Sequence, residues 1–367
     1  MNWSRIGTFV VAIALIVGGS IWAYQFFEAT EHIDDITEKW EASGHADATS
    51  RSFTNWDDNE PPEIPQACAK CHSLYGYLDF LGVDGTELRV VNNRARAGSV
   101  INCNACHNNV GHTLDSVIFP GGAEVTDLGR YANCMRCHQG RNSTQSVNQA
   151  TEGIGPDEVS EDLAFINVHY GIAAATRHGS EVSVGYEYED REYVGWYPHT
   201  PDFSACTDCH DPHSTAINPS ACQPCHANVV SYGDIFAIRE TDVDYDGDGR
   251  VDVGILQEIS TLHSALYATI QRYAAEVAGT PIAYTTSFPY WEVGPDANND
   301  VSPGDRYTAW TPRLLRAAYN YHYVVMDPGG FTHNARYVIQ LIYDAIDDLG
   351  EQVEVDVDRY TRPAVTY

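Results

Sequence analysis

Cys206-Thr-Asp-Cys209-His210-Asp-Pro-His213 decides how this chain is read. Two cysteines, three residues apart, are followed at once by a histidine. The same arrangement recurs at Cys68-Ala-Lys-Cys71-His72, Cys103-Asn-Ala-Cys106-His107, Cys134-Met-Arg-Cys137-His138 and Cys222-Gln-Pro-Cys225-His226. These five units use every one of the ten cysteines. A given cysteine would begin such a unit by chance roughly once in a thousand. Disulfides would use the cysteines but would not need a histidine after every second one. Zinc ribbons pair their Cys-x-x-Cys knuckles, and five knuckles leave one over. Covalent haem attachment explains both features. Two thiols add across the two vinyl groups, and the histidine comes under the iron as its proximal ligand. The units therefore predict five covalently attached haem c groups, and such attachment requires export.

From Cys68 to His226 the units span 159 residues. At roughly 32 residues per haem there is little chain for a separate apolar core, so the porphyrins are expected to supply it. The expected fold is mainly α with much irregular structure: a multihaem cytochrome c fold built around five stacked haems, with a helical C-terminal region. Only 11 residues, Asp211 to Ala221, separate the fourth and fifth units, so their haems should be near neighbours.

The sixth ligands set the behaviour of each iron. Fifteen histidines less the five proximal ones leave His32, His45, His112, His169, His178, His199, His213, His263, His322 and His333. Met1 is the start, Met135 lies inside a haem unit, and Met326 alone remains. Methionine ligation raises the potential of a c-type haem, so its near absence predicts bis-histidine, low-spin, low-potential irons. Pro212 turns His213 away from its own haem and toward a neighbour's. Prolines on a short loop hold His199, seven residues before Cys206. His169 precedes the small run Ala173–Ala175, which allows close approach to a flat ring. His45 lies in Ser-Gly-His-Ala-Asp, and His333 precedes an apolar helical stripe. His263 and His322 share helical faces with apolar residues, and at the sequence level they read equally as ligands or as packed core residues.

Composition bounds the partners. The 367 residues include 51 acidic and 21 basic side chains, for a formal charge of −30, and 43% hydrophobic residues exclude wholesale disorder. Nucleic acid is excluded as a partner, because displacing phosphate counterions needs lysine and arginine. Lys39 and Lys70 are the only lysines. An acid-rich, lysine-poor surface suits high salt or a positively charged partner. At the N-terminus, 22 residues from Ile6 to Phe27 carry no charge. About 33 Å of helix is enough to cross a bilayer core. Arg5 before the run, and Glu28, Glu31, Asp34 and Asp35 after it, place the rest of the chain outside the cytoplasm. A cleaved signal peptide is the competing reading, with a shorter apolar region and a small-x-small site.

Past His226 the pattern changes. Apolar residues at 255, 259, 262, 266 and 270 follow a helical period. Thr311-Pro312 predicts an N-cap and first helical position for a helix to about Met326. A last helix carries Val338, Leu341, Ile342, Ala345 and Leu349 and ends near Gly350. The expected layout is an anchor at 1–30, a pentahaem domain at 31–230, a helical region at 231–350 and a tail at 351–367. Asp244-Tyr-Asp246-Gly-Asp248-Gly249-Arg-Val-Asp252 places oxygen ligands at loop positions 1, 3, 5 and 9, with glycine at 6, and predicts a structural calcium loop. Ile255 replaces the usual glutamate at position 12, and Glu258 comes three residues late. Asp296, Asn298, Asp300 and Asp305 form a poorer echo, at which no calcium is expected.

On Ser43-Gly-His45-Ala-Asp47, Cys134-Met-Arg-Cys-His138-Gln-Gly-Arg141, Asn167-Val-His169-Tyr170, Cys206–His213 and Phe331-Thr-His333-Asn334, the chain resembles membrane-associated or extracellular multihaem c-type cytochromes. The resemblance runs from about Ser43 to Gly350. It implies electron transfer, with His45, His169, His199, His213 and His333 as the distal ligands. A more distant similarity is to pentahaem nitrite reductases and hydroxylamine oxidoreductases. The reductases usually carry Cys-x-x-Cys-Lys at one haem, whereas all five units here end in histidine. The expectation is a membrane-anchored electron carrier with its haem domain on the periplasmic or extracellular side. Its partners would be redox proteins, either a quinol-oxidising complex or other cytochromes. Two alternatives stay open: an oxidoreductase for a small nitrogen or sulfur compound at one open haem, and a homo-oligomer or polymeric filament.

Overall fold

The computed structural model describes residues 32–111, 113–200, 203–294 and 305–365. The expected anchor, His112, Asp296, Asn298 and Asp300 lie outside them. The described chain is mainly helical and irregular with a few short strands, and it divides into two units. The first holds the described residues up to Asn108 together with His210–Asn218; the second holds Asn109–Cys209 and the residues from Pro219 onward.

In the first unit, α1 covers residues 32–41, and Trp40 Nε1 donates to the Ile101 carbonyl (2.9 Å). α2 (Arg51–Thr54) is capped by Ser50, and α3 (Gln66–His72) starts directly after Pro65. α4 (Leu74–Phe80) is capped by Ser73, whose hydroxyl accepts from Gly76 N. Gly76 permits close approach of α3 to α4, since a Cβ there would stand 2.4 Å from the Ala69 carbonyl oxygen. β1 (Glu63–Ile64) pairs antiparallel with β2 (Ala95–Arg96), and α5 is Cys103–Cys106. The apolar core is small, with Ile64, Ala69 and Ala95 packed beside Trp56 and Val91. Polar anchoring supplements it. Buried Asp79 accepts hydrogen bonds from Thr86 Oγ1, Asn92 N, Asn92 Nδ2 and Asn93 N.

The second unit begins with β3 (Val117–Ile118) paired to β4 (Glu124–Val125). The short helices α6 (Ala132–Met135), α7 (Thr144–Thr151), α8 (Ala173–His178) and α9 (Cys206–Cys209) follow. α10 runs Ile255–Glu276, and β5 (Ile282–Tyr284) pairs with β6 (Trp291–Val293). α11 is Pro312–Met326, α12 is Gly330–His333 and α13 is Ala335–Gly350. The start of α11 follows the expected chemistry: the Thr311 hydroxyl accepts from Leu314 N, and Pro312 occupies the first turn.

α10, α11 and α13 pack together through Leu262, Leu266 and Ile270, Leu314, Leu315 and Ala318, and Ile342, Ala345 and Leu349. All nine are inaccessible, and burying each large aliphatic side chain is worth about 1.5–3 kcal/mol. A second cluster joins Tyr319, Tyr323, Tyr337 and Leu341 to Val117, Phe119, Val147 and Ile172. Ala132 and Met135, which flank Cys134, belong to this cluster too. The C-terminal helices thus share a core with the segment that carries the third Cys-x-x-Cys-His unit. Among the described residues no helix is long and apolar enough to cross a membrane.

Candidate functional site

Four of the five Cys-x-x-Cys-His units close a helical turn onto their histidine; in the fourth, α9 ends at Cys209 and His210 forms an isolated bridge with Ile217. α3 contains the whole first unit, and His107 N, His138 N and His226 N donate to the carbonyls of Cys103 (2.7 Å), Cys134 (3.1 Å) and Cys222 (2.8 Å). Residues at i, i+3 and i+4 share a helix face, so both thiols and the imidazole project together. Cysteine is ordinarily among the most buried residue types. Here none of the ten is fully buried or in a disulfide, and Cys103, Cys106, Cys134 and Cys225 are exposed. The exposed Cys103–Cys106 pair beside His107 suits covalent haem attachment, and the other units keep their thiols at least partly accessible.

The imidazoles are oriented from behind. His72 Nδ1 lies 2.7 Å from the Ser52 carbonyl oxygen, His138 Nδ1 3.1 Å from that of Gly171, and His210 Nδ1 3.1 Å from that of Thr215. His226 Nδ1 stands 3.1 Å from Glu240 Oε1. A carbonyl oxygen only accepts, so Nδ1 carries the proton in the first three and Nε2 presents its lone pair. Metal-bound histidines are held by this second contact, which fixes both tautomer and ring orientation.

In the first unit of the structure, the rings of His107 and His213 are 6.4 Å apart between centroids and 10° apart in plane. In the second, the rings of His199 and His226 are also 6.4 Å apart, at 55°. His169 and His199 adopt φ of +80° and +58°. Such values are uncommon outside glycine and collect at functional positions. Burial lowers the pKa of both His45 and His199, which favours the neutral ring. His333 Nδ1 meets Asp327 Oδ1 at 2.8 Å. Burial alone would push the His333 pKa down and that of Asp327 up, but the opposite charge of the partner reverses both.

Other histidines are engaged elsewhere. His263 stacks on Tyr321 with centroids 4.0 Å apart, and its Nε2 contacts the Tyr321 carbonyl. His322 uses Nδ1 toward Tyr284 Oη and Nε2 toward Asn167 Oδ1. Burial pushes the pKa of His263 down to about 4 and that of His322 to about 3. Both are packed core residues. His178 turns Nδ1 to Glu181, but its Nε2 is buried with no hydrogen-bond partner, 5.7 Å separating its ring from that of Phe119.

Within the second unit of the structure, the Cys206 thiol hydrogen-bonds with that of Cys134, and this contact lowers its pKa. The Cys209 thiol is raised by burial and by nearby Cys222. The cysteines of the third, fourth and fifth Cys-x-x-Cys-His units are therefore neighbours. Apart from these sites, Asp244, Asp246 and Glu258 gather on the turn before α10 and on its first turn; Asp248 and Asp252 are not part of this group. The sequence reading missed Ser52, Gly171, Thr215, Glu240 and Asp327 as supports.

Similarity to known proteins agrees with this chemistry. The chain is a distant relative of C-type polyheme cytochromes. It is 26% identical over 383 residues to C-type polyheme cytochrome OmcC of Geobacter sulfurreducens, covering 86% of this chain and 46% of that protein. It is 25% identical over 370 residues to C-type polyheme cytochrome OmcB of the same organism, covering 82% and 46%. The chain thus spans about half the length of the curated relatives it matches. No family model and no solved structure matches it.

Proposed function

We propose that this chain is a membrane-anchored pentahaem c-type cytochrome that relays electrons, one at a time, between a membrane donor and a periplasmic or extracellular acceptor. The spacing of two histidine pairs carries the reading. Two imidazoles on opposite sides of one metal, with metal–nitrogen bonds of about 2 Å and ring centres about 1 Å behind each nitrogen, have centroids roughly 6 Å apart. His107 with His213, and His199 with His226, have this spacing. On this reading His213 serves the haem of Cys103 and Cys106, and His199 that of Cys222 and Cys225. His45, His169 and His333 are the remaining distal candidates.

Bound haem supplies a reversible one-electron couple. The chain's own residues do the rest. Paired thiols would hold the ring covalently, the two imidazoles of each pair would bind its iron, and the acceptors at Nδ1 fix the tautomer able to do so. At the two haems where a second imidazole stands at this spacing, the iron would have no place for substrate, which favours a carrier over an enzyme. The neighbouring cysteines of the last three units support short electron steps between haems. The uncharged run at 6–27 supports the anchor, and the charge of −30 supports a basic docking surface on a redox partner. The experiment is intact-mass analysis of chain matured in a host that attaches haem c. Five haem masses are expected, and four in a Cys103→Ala/Cys106→Ala variant. A chain with no haem mass would refute the reading.

A further inference from the structure

Asp244, Asp246 and Glu258 each bring a carboxylate oxygen to within 4.8 Å of the others. The loop shapes itself around the first two. Gly247 N and Gly249 N donate to Asp244 Oδ1 (2.7 Å) and Oδ2 (2.8 Å), and Asp248 N donates to Asp246 Oδ1 (3.1 Å). Glu258, fully buried on α10, is engaged at both oxygens. Oε1 faces Arg239 Nη1, and Oε2 accepts from Tyr245 N (2.8 Å) and Asp246 N (3.0 Å). Three carboxylates against one guanidinium leave two negative charges uncompensated.

A second observation points to what compensates them. Asp246 is 1% exposed, and its Oδ2 is buried with no hydrogen-bond partner. The Thr261 side chain lies beside this carboxylate. Leaving a buried acceptor unsatisfied costs about 1–3 kcal/mol, and more when it is charged. A buried carboxylate oxygen aimed among other carboxylates is the arrangement a cation resolves. The donors are all oxygen, which selects a hard ion. An irregular cluster of carboxylates suits calcium better than magnesium, which demands strict octahedral geometry and keeps its waters.

We propose that this cluster binds one Ca²⁺ ion, with Asp244 and Asp246 as side-chain ligands and Glu258 tying the loop to α10. Asp252 takes no part: its side chain is 75% exposed and pairs with Arg250. The ion clamps the C-terminal segment. Thr361 N donates to the Tyr245 carbonyl (3.0 Å). A Cβ on Gly247, which adopts φ +70°, would lie 2.1 Å from the Arg359 carbonyl oxygen.

The test is equilibrium dialysis of the haem-loaded chain against Ca²⁺ with metal analysis, alongside thermal denaturation with Ca²⁺ or a chelator. One Ca²⁺ per chain is expected, held against excess Mg²⁺, with melting lowered by a few degrees in chelator. Asp246→Asn should lose the ion and its chelator response, yet melt in chelator no lower than the parent, because an unpaired charge has gone. Asp252→Asn should bind as the parent does. A parent chain that retains no Ca²⁺, or an Asp246→Asn chain that retains it fully, would overturn the proposal. None of these readouts depends on haem ligation, so the outcome is independent of the electron-transfer reading.

Discussion

The imidazole rings of His107 and His213 lie nearly parallel, 10° apart in plane and 6.4 Å apart between centroids. The rings of His199 and His226 share the distance but are turned by 55°. Relative ring orientation governs the g-anisotropy of a low-spin ferric haem. Parallel rings give a rhombic signal, and rotated rings give a larger maximum g. His213→Ala should remove a rhombic component and create one high-spin haem; His199→Ala should instead remove a component of larger maximum g. In both variants the haem count should stay at the parent value. An unchanged spectrum in either would sink that pairing.

Asp327 should tune one potential. Its carboxylate sits against Nδ1 of His333, where His138 and His210 have a carbonyl. A carboxylate partner raises ligand basicity and stabilises ferric iron. Asp327→Asn should raise the potential of one haem by on the order of 60 mV, a tenfold change for a one-electron couple. Spectroelectrochemical titration reads this directly. A variant whose titration superimposes on the parent's would show that His333 is not a ligand, or that Asp327 is silent.

Gly171 is the support of His138 most sensitive to substitution. It adopts φ +64°, and a Cβ there would stand 3.0 Å from His138 Nδ1. Gly171→Ala should tilt that ring and alter one low-spin signal, leaving all thioether bonds intact. Strain at such a position costs on the order of 1 kcal/mol. EPR combined with intact mass separates a displaced ligand from a lost haem.

Asp79 should make the first unit sensitive to acid. Burial pushes its carboxyl up, but the donors at Asn92, Asn93 and Thr86 outweigh burial and hold it below the ordinary value of 3.8. The folded pKa is depressed, so the stabilisation is present above the ordinary value and is lost as pH falls through the folded one. Asp79→Ala leaves buried donors unpaired and should cost about 2–3 kcal/mol near neutral pH, and less in acid. Thermal denaturation at about pH 6 and about pH 3 checks the sign. An equal loss at both would contradict it.

What the sequence reveals follows from the range of each interaction. α10, α11 and α13 are legible because their apolar stripes and the Thr311-Pro312 start are local signals. The haem units are legible for the same reason, since thiols and imidazole are close neighbours in the chain. The supports behind the imidazoles are not. Ser52, Gly171 and Thr215 contribute backbone carbonyls, which no residue type announces. Glu240 and Asp327 are two carboxylates in an acid-rich chain, and only the fold brings them to His226 and His333. Glu258 lies outside the loop spacing and reaches Asp244 and Asp246 because α10 begins where it does. His263 and His322 fit a ligand or a core residue equally well by periodicity; their engaged nitrogens decide for the core.

Low-temperature EPR of the oxidised, detergent-purified chain, with a haem count on the same sample, tests the electron-transfer account most directly. Five haems, all low-spin, are the expected result, because each iron then has two strong ligands and the chain is a carrier. A stoichiometric high-spin signal that shifts on adding nitrite or hydroxylamine would contradict it, because one iron would then be open to substrate.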